Sequence, residues 1–188
     1  MPSQSTLLGA AGEHYVLCQL LRRGYIAALA PVGVPNADIL ITDTEGQRLI
    51  AIQVKSRRDI GSDHGWHMKA KHERLVSDSL FYSFVDFGGA FDDRTKTYIV
   101  PSRVVAAAVR DSHQRWLETP GAKGQARKDS VMRRFRPDYT NIFGEGHPLY
   151  GQGWTDKYLE AWGTLGPPQK SPSEPEDPES APEEALDS

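Results

Sequence analysis

The chain segment Asn36-Ala-Asp-Ile-Leu-Ile-Thr42, followed after a turn by Arg48-Leu-Ile-Ala-Ile-Gln-Val-Lys55, decides the fold of this protein. Both pieces are apolar runs of strand length. The turn at residues 43–46 ends in a glycine, as short turns between paired strands often do. We therefore predict two neighbouring strands, at residues 38–42 and 48–55.

The side chains of the second strand separate by polarity. A period of two puts Gln53 and Lys55 on one face and the apolar Ile52 and Val54 on the other. Because a short turn joins the two strands, a carboxylate at the entrance of the first one, Asp38, can lie beside the polar pair. The polar face is therefore the candidate site, and the apolar face belongs to the core.

The elements around these strands alternate between helix and strand. Apolar residues at three- and four-residue steps predict a first helix, whose start Ser5 or Thr6 can cap and which stops at Gly24. Further elements are predicted from period and length: strands at 25–30, 80–86 and 97–101, a helix within 67–78 and a helix at 102–118. This order, αβββαβ, predicts an α/β domain.

Polar residues in this arrangement suit the hydrolysis of a phosphodiester. That reaction needs a divalent cation that neutralises developing charge and lowers the pKa of an attacking water. Asp38, the amide oxygen of Gln53 and a second carboxylate from the first helix, Glu13, are suitable oxygen ligands for magnesium. Lys55 could hold the scissile phosphate and orient or activate the water.

The same residues resemble a known superfamily. Gly12-Glu13 on an N-terminal helix, Asp38 at a strand start and Gln53-Val-Lys55 on the next strand look like the PD-(D/E)XK nucleases. The likeness is to the branch with Gln in the third-motif acid position, as in Mrr-like restriction enzymes, and to the archaeal Holliday junction resolvases. Ala37 stands where the name-giving proline is often found. The motifs cover residues 5–60, and the element order extends the resemblance to 118.

This resemblance carries expectations about fold and activity. It implies a restriction endonuclease-like fold, with a central mixed β-sheet flanked by helices and a C-terminal helical extension. It also implies cleavage of DNA with Mg²⁺ or Mn²⁺. Glu13, Asp38 and Gln53 would ligate the metal, and Lys55 would be the catalytic lysine.

Each of these residues also has an ordinary structural interpretation. Asp38 could be a turn or cap residue after Pro-Asn, Lys55 an edge-strand charge that prevents aggregation, and Glu13 an exposed helix residue. Their combination in this order favours a nuclease site. The alternative function is an inactive nuclease-fold module that binds nucleic acid or a protein. A further alternative is an assembly factor whose acidic tail recruits a basic partner.

Two basic segments could contact DNA. Arg57 and Arg58 directly follow the catalytic strand, and guanidinium groups suit phosphate. A second group of six lies after the core: Lys123, Arg127, Lys128, Arg133, Arg134 and Arg136. Solvated loop charges and a salt-bridged subunit surface explain these segments equally well.

Three histidines lie close together in the sequence, at positions 64, 67 and 72. They lack a fourth zinc ligand at a suitable spacing, which argues against a zinc site. His67 or Lys69 could instead contact substrate. Phosphate-loop, dinucleotide and serine-hydrolase motifs do not occur.

Length and composition limit the number of domains and the class of protein. The 188 residues, 38% of them hydrophobic, suit a single domain at 1–165, with a core at about 5–118 and an extension at 119–165. A short helix is expected at 155–162. The only cysteine, Cys18, has apolar neighbours that predict a core position. No signal or membrane-spanning segment is recognisable, so we expect a cytoplasmic protein without membrane contact.

The net charge of −3 is unevenly distributed. From Lys170 onward there are seven acidic residues and one basic residue, which leaves 21 basic against 18 acidic residues, or +3, before it. A modestly basic body is compatible with DNA as partner. Residues 166–188 are rich in Pro, Ser and acids, which predicts a disordered tail able to contact a basic partner. Cutting both strands of a duplex would favour a homodimer.

Overall fold

The structure, a computed structural model, describes residues 2–59 and 65–168. The helices are α1 (Gln4–Arg22), α2 (Ser102–Glu118) and the short α3 (Thr140–Phe143). The strands are β1 (Ile26–Leu29), β2 (Ile39–Thr42), β3 (Leu49–Arg57), β4 (Trp66–Lys69), β5 (Leu80–Asp86), β6 (Lys96–Pro101) and β7 (Met132–Phe135). Turns of 3-10 helix lie at Ala70–Glu73, Asp156–Tyr158 and Trp162–Leu165. His64, and the predicted tail from residue 169 onward, lie outside the described residues.

Five strands form a central mixed sheet in the order β1-β2-β3-β5-β6. β1, β2 and β3 pair antiparallel, β3 and β5 pair parallel, and β5 and β6 pair antiparallel. β4 and β7 form a separate antiparallel pair. The predicted α/β class with a mixed sheet flanked by helices is thus confirmed, and it is the arrangement that the resemblance to restriction endonuclease-like proteins implies.

The sheet is covered on both faces. Ile52 and Val54 of β3 pack with Val16 and Leu20 of α1 in one buried cluster. On the opposite face, alternate residues of β5 and β6 pack against α2 and against the β4–β7 pair. Sheets that contain parallel strands are normally covered on both faces. The burial of both faces of this sheet therefore agrees with its parallel β3–β5 pair.

The helix predicted within residues 67–78 is wrong. Instead, Trp66 and Met68 are buried while His67 and Lys69 are exposed, which is the two-residue period of a strand. β7, which the sequence pattern did not reveal, pairs with this strand, and its Phe135 stacks on Phe84 of β5 with ring centroids 4.0 Å apart. Without β7 and the aromatic surface beneath it, the short segment could not form a stable strand.

Three smaller expectations are corrected at the ends of the chain. Ser3, rather than Ser5 or Thr6, caps α1 by accepting a hydrogen bond from the Thr6 backbone. Cys18 is exposed, because the buried stripe of α1 consists of Gly12, Val16 and Leu20. The helix expected at 155–162 is replaced by two 3-10 turns, so the extension is less helical than predicted. In the described part of the chain no helix is long and apolar enough to cross a bilayer.

Gly12 allows α1 to lie against β3. A Cβ atom at this position would stand 1.7 Å from Ser56 Oγ and 2.9 Å from Ser56 Cβ, distances that force the helix or the strand to move. Gly9, one turn earlier on the same helix, has nothing within 4 Å of such an atom. The close contact at Gly12 therefore determines how near the following residue, Glu13, comes to β3.

We predict opposite effects for alanine at these two glycines. Gly12→Ala should lower the free energy of unfolding by about 1–3 kcal/mol through overpacking. Gly9→Ala should raise it by about 0.5–1 kcal/mol, because alanine favours the helix. Urea unfolding of both variants checks this. Adding Ser56→Ala to Gly12→Ala should recover part of the loss, and equal stability of the two single variants would contradict the close contact.

Candidate active site

Asp38 and Gln53 lie directly opposite each other at the entrance of β2. Ile39 pairs with Ile52, so the residue before β2 faces the residue after Ile52. The Asp38 backbone N–H donates to the Ile52 carbonyl at 2.8 Å. Asp38 Oδ2 accepts hydrogen bonds from the Val54 backbone N–H at 2.7 Å and from Gln53 Nε2. One carboxylate oxygen is thus held by the strand, and Oδ1 is left for another ligand.

Glu13 comes near the same carboxylate from α1. Burial and the negative charge of Asp38 raise the pKa of Glu13, whereas His14 and Lys55 lower it. A like charge acts on a pKa in this way only over a short distance. The charges of Glu13, Asp38 and Lys55 therefore act on one another across α1, β2 and β3.

Charges of both signs act on the ammonium group of Lys55. Burial lowers its pKa, and the carboxylates of Asp38 and Glu13 raise it. Two further lysines, Lys71 and Lys69, lower it again by repulsion. The outcome is a pKa below the ordinary lysine value, which suits an ammonium group that takes part in proton transfer.

A buried hydrogen bond between a histidine and a tyrosine lies beside Gln53 of the site. His72 is 3% exposed, and its Nδ1 lies 2.8 Å from the Tyr82 hydroxyl in a hydrogen bond. Tyr82 is the partner of Gln53 in the β3–β5 register. Burial, followed by the charges of Lys55, Lys71 and Lys69, lowers the pKa of His72 to about 4, so the ring is neutral near pH 7.

Lys71, His72 and Tyr82 were not predicted to belong to the site. All three depend on the course of the chain between β4 and β5, where a helix was expected. In the sequence, the available signal was the alternation of apolar and polar residues from Trp66 to Lys69, which the structure shows as buried and exposed residues. Had it been interpreted as a strand, it would have indicated which lysines of this segment face outward.

The residues that could hold a hard divalent cation are two carboxylates and an amide. The described residues contain no group of three or more His, Cys, Asp or Glu side chains that could hold a metal, so the protein offers the Glu13 and Asp38 carboxylates and the Gln53 amide. Magnesium often takes only one or two carboxylates and completes its shell with water and substrate phosphate. The Gln53 nitrogen is engaged by Asp38, which leaves its Oε1 as the ligand atom.

Arg57 and Arg58 are both engaged within the fold. Arg57 forms an ion pair with Asp86, with Nη2 2.6 Å from Oδ2, and its guanidinium lies 4.4 Å from the centre of a Trp66 ring. Arg58 donates to the Gly89 carbonyl and lies over the Phe91 ring. Arg57, whose side chain is only 12% exposed, therefore has contacts that indicate a structural role.

The basic residues between Lys123 and Arg136 differ in burial and in their contacts. Arg133 is buried and forms ion pairs with Glu73 and with Asp129. Other members lie at the surface or against side chains: Lys123 and Lys128 are exposed, Arg127 stacks on Trp116, Arg134 contacts His67, and Arg136 contacts Asn141. Arg133 and Arg134 lie in β7 opposite Met68 and His67 of β4, the strand that ends at Lys69.

Solved structures similar to this chain include two nucleases. One is the bacterial homing endonuclease I-Ssp6803I, with a TM-score of 0.46 and 16% identity over 86% of this chain and 90% of that chain. The other is Hjc, a Holliday junction resolvase from Archaeoglobus fulgidus, with a TM-score of 0.40 and 16% identity over 68% of this chain and 83% of that one. Both are nucleases by name, the class that the sequence motifs resemble.

No protein-family model and no curated protein sequence matches the chain. At TM-scores of 0.46 and 0.40 the similar structures do not establish an activity for this protein.

We predict that the neutral state of His72 makes the fold sensitive to acid. Its pKa is about 4 in the folded protein, against 6.5 ordinarily, so the unfolded chain binds the proton first as the pH falls. The free energy of unfolding should be fully retained above about pH 6.5 and should fall by up to roughly 3 kcal/mol towards pH 4. Urea unfolding across this range measures the effect.

Two variants test whether His72 is responsible. His72→Gln keeps a hydrogen-bonding side chain but cannot titrate, so its stability should change less between pH 6.5 and pH 4. His14→Gln, at an exposed histidine of α1, should keep the acid dependence of the wild type. If His72→Gln and the wild type lose stability in parallel, another group causes the effect.

Proposed function

We propose that this protein is a metal-dependent endonuclease that hydrolyses DNA phosphodiester bonds. The observation that supports this most is the convergence of two carboxylates and a lysine of lowered pKa beside Gln53. Among the described residues, neither Glu13 nor Asp38 forms an ion pair, although the charge of Lys55 acts on both. Such unpaired negative charge beside a lysine suits a cation and a phosphate better than a purely structural role.

The ligand set follows from the hydrogen bonds. Asp38 would bind Mg²⁺ or Mn²⁺ through Oδ1, because Oδ2 is held by Val54 and Gln53. Glu13 would add the second carboxylate and Gln53 its Oε1. The cation, when bound, supplies positive charge for the developing phosphorane and lowers the pKa of the attacking water.

Lys55 would act on the phosphate and the water. As an ammonium group it holds a non-bridging oxygen of the scissile phosphate and stabilises charge there. Its lowered pKa also favours the exchange of a proton with the water. The water oxygen forms a bond to phosphorus, the bond from phosphorus to one sugar oxygen breaks, and that oxygen takes up a proton.

DNA contacts away from the cleaved bond remain predictions. We propose Arg58, Lys123, Arg127, Lys128 and Arg134 as candidates, since guanidinium and ammonium groups position a phosphate backbone. We leave out Arg57 and Arg133, because their buried ion pairs would have to break before either could reach DNA. A homodimer and a basic partner for the acidic tail stay predictions from the sequence.

A second candidate function has one observation in its favour. Gln53 is neutral and donates its amide nitrogen to Asp38, which weakens the negative potential that a cation needs. A protein of this kind could bind nucleic acid through the same surface without cutting it. The experiment below separates the two functions.

We predict that Asp38→Asn abolishes cleavage. Wild type with Mg²⁺ should cut at least one of four DNA forms, namely supercoiled, linear duplex, single-stranded and branched, and Asp38→Asn should cut at least about 100-fold more slowly. Asp92→Asn, at an exposed aspartate, should cut like wild type. Should wild type bind DNA but cut none of the four, the non-catalytic module is the correct function.

We predict that Glu13 determines metal affinity. Glu13→Gln keeps the size of the side chain but removes one of two negative charges, so Mn²⁺ should bind about tenfold more weakly. Titration calorimetry with Mn²⁺ measures this without any DNA. Glu145→Gln, at an exposed glutamate, is the matched control. Unchanged Mn²⁺ affinity in Glu13→Gln would remove Glu13 from the ligand set.

A further inference from the structure

The turn after β4 brings additional positive charge to the site. Lys69 ends β4, Lys71 lies in the 3-10 turn that follows, and both side chains are exposed. Both lie near enough to Lys55 to lower its pKa. The positive charges of Lys69 and Lys71 therefore act on the same region as Lys55 and the carboxylates of Asp38 and Glu13.

The charges of Lys69 and Lys71 are not neutralised within the described residues. Neither has a carboxylate at ion-pair distance among residues 2–59 and 65–168. The hydrogen-bond partner of Lys71 Nζ is a neutral amide oxygen, Asn36 Oδ1, at 2.8 Å. Asn36 is two residues before Asp38, so this bond places the Lys71 ammonium at the entrance of the candidate active site.

The turn is also held rigidly beneath these lysines. His72 follows Lys71 directly, and its hydrogen bond to Tyr82 ties the turn to β5 next to Gln53. Burial of both partners makes this contact costly to break. The hydrogen bond thus attaches the turn that carries the lysines to the part of the sheet that carries Gln53.

We propose that Lys69 and Lys71 form a second phosphate site, which binds the phosphodiester next to the cleaved one. This inference rests on the proposed function and names the part of the DNA that the turn contacts. Residues on one face of a strand repeat every two positions, about 7 Å apart. From Lys69 the exposed face of β4 continues to His67 and, across the ladder, to Arg134. A backbone held by the turn can therefore continue along this face.

Removal of the two charges without loss of the Asn36 contact tests the proposal. In Lys69→Gln/Lys71→Gln the side chains keep most of their length, and a glutamine at position 71 can still donate to Asn36. Binding of fluorescent DNA to the full chain is followed by anisotropy with Ca²⁺ in place of Mg²⁺, so that cleavage does not interfere. We expect Kd to rise about 30-fold and the slope of log K against log salt to fall by about two.

Two controls distinguish charge from folding. Lys96→Gln/Lys157→Gln removes the same charge from exposed lysines at and beyond the β6 edge of the sheet, and its Kd should stay within about twofold of wild type. Lys69→Arg/Lys71→Arg restores the charge and should restore the salt slope. If the arginine variant binds as weakly as the glutamine variant, or if the control variant weakens equally, the second phosphate site is overturned.

Tyr82→Phe tests the positioning role of the histidine contact. It removes the hydroxyl that His72 binds but keeps the ring that stacks on Phe84. We expect Kd to rise about threefold with an unchanged salt slope, because no phosphate contact is removed. An unchanged Kd in this variant would mean that the histidine contact does not position the lysines.

The same measurements separate this proposal from the proposed function. Wild type that binds DNA through both lysines but cuts none of the four DNA forms would overturn the nuclease function alone. Wild type that cuts DNA, with a glutamine variant that binds and cuts like the Lys96/Lys157 control, would overturn the phosphate site alone. An absence of DNA binding by wild type would overturn both.

Discussion

The register between β2 and β3 is the constraint on which the site depends. Because Ile39 lies opposite Ile52, Asp38 faces Gln53 and its carboxylate accepts the Val54 backbone N–H. A shift by one residue would turn Asp38 towards the apolar face that packs against α1. The burial of Ile39, Ile41 and Ile52 excludes that shift, so packing of the core and alignment of the site have one cause.

The other residues of the site approach the β2–β3 pair from both faces of the sheet. Gly12 lets α1 approach Ser56 closely, and Glu13 thereby comes near Asp38. On the opposite face, Tyr82 and His72 hold the turn that carries two lysines. Carboxylates and ammonium groups therefore meet in a partly buried space, where their interactions are stronger than in water. A cation and a phosphate would balance both sets of charges.

Most of the central sheet could be predicted from the sequence, and so could the core of the site. Strand β5 and helix α2 have the predicted bounds, and β2 and β3 differ from theirs by one or two residues. Period and length suffice for such elements, because each is long enough or regular enough to show its own pattern. The basic residues were less predictable. Arg57 and Arg133 carry the expected charge, but only the fold shows that Asp86 and Glu73 engage it.

The sequence by itself determined the β2–β3 pair and its polar face, since a short turn and a two-residue alternation bring Asp38, Gln53 and Lys55 together locally. Only the tertiary structure decided the second half of the site. His67 and Arg134 are 67 residues apart in sequence, and β4 is a strand only because β7 pairs with it over Phe84. Pairing over such a distance depends on burial of a shared surface, which no local pattern contains. The positions of Lys69, Lys71 and His72 follow from that pairing.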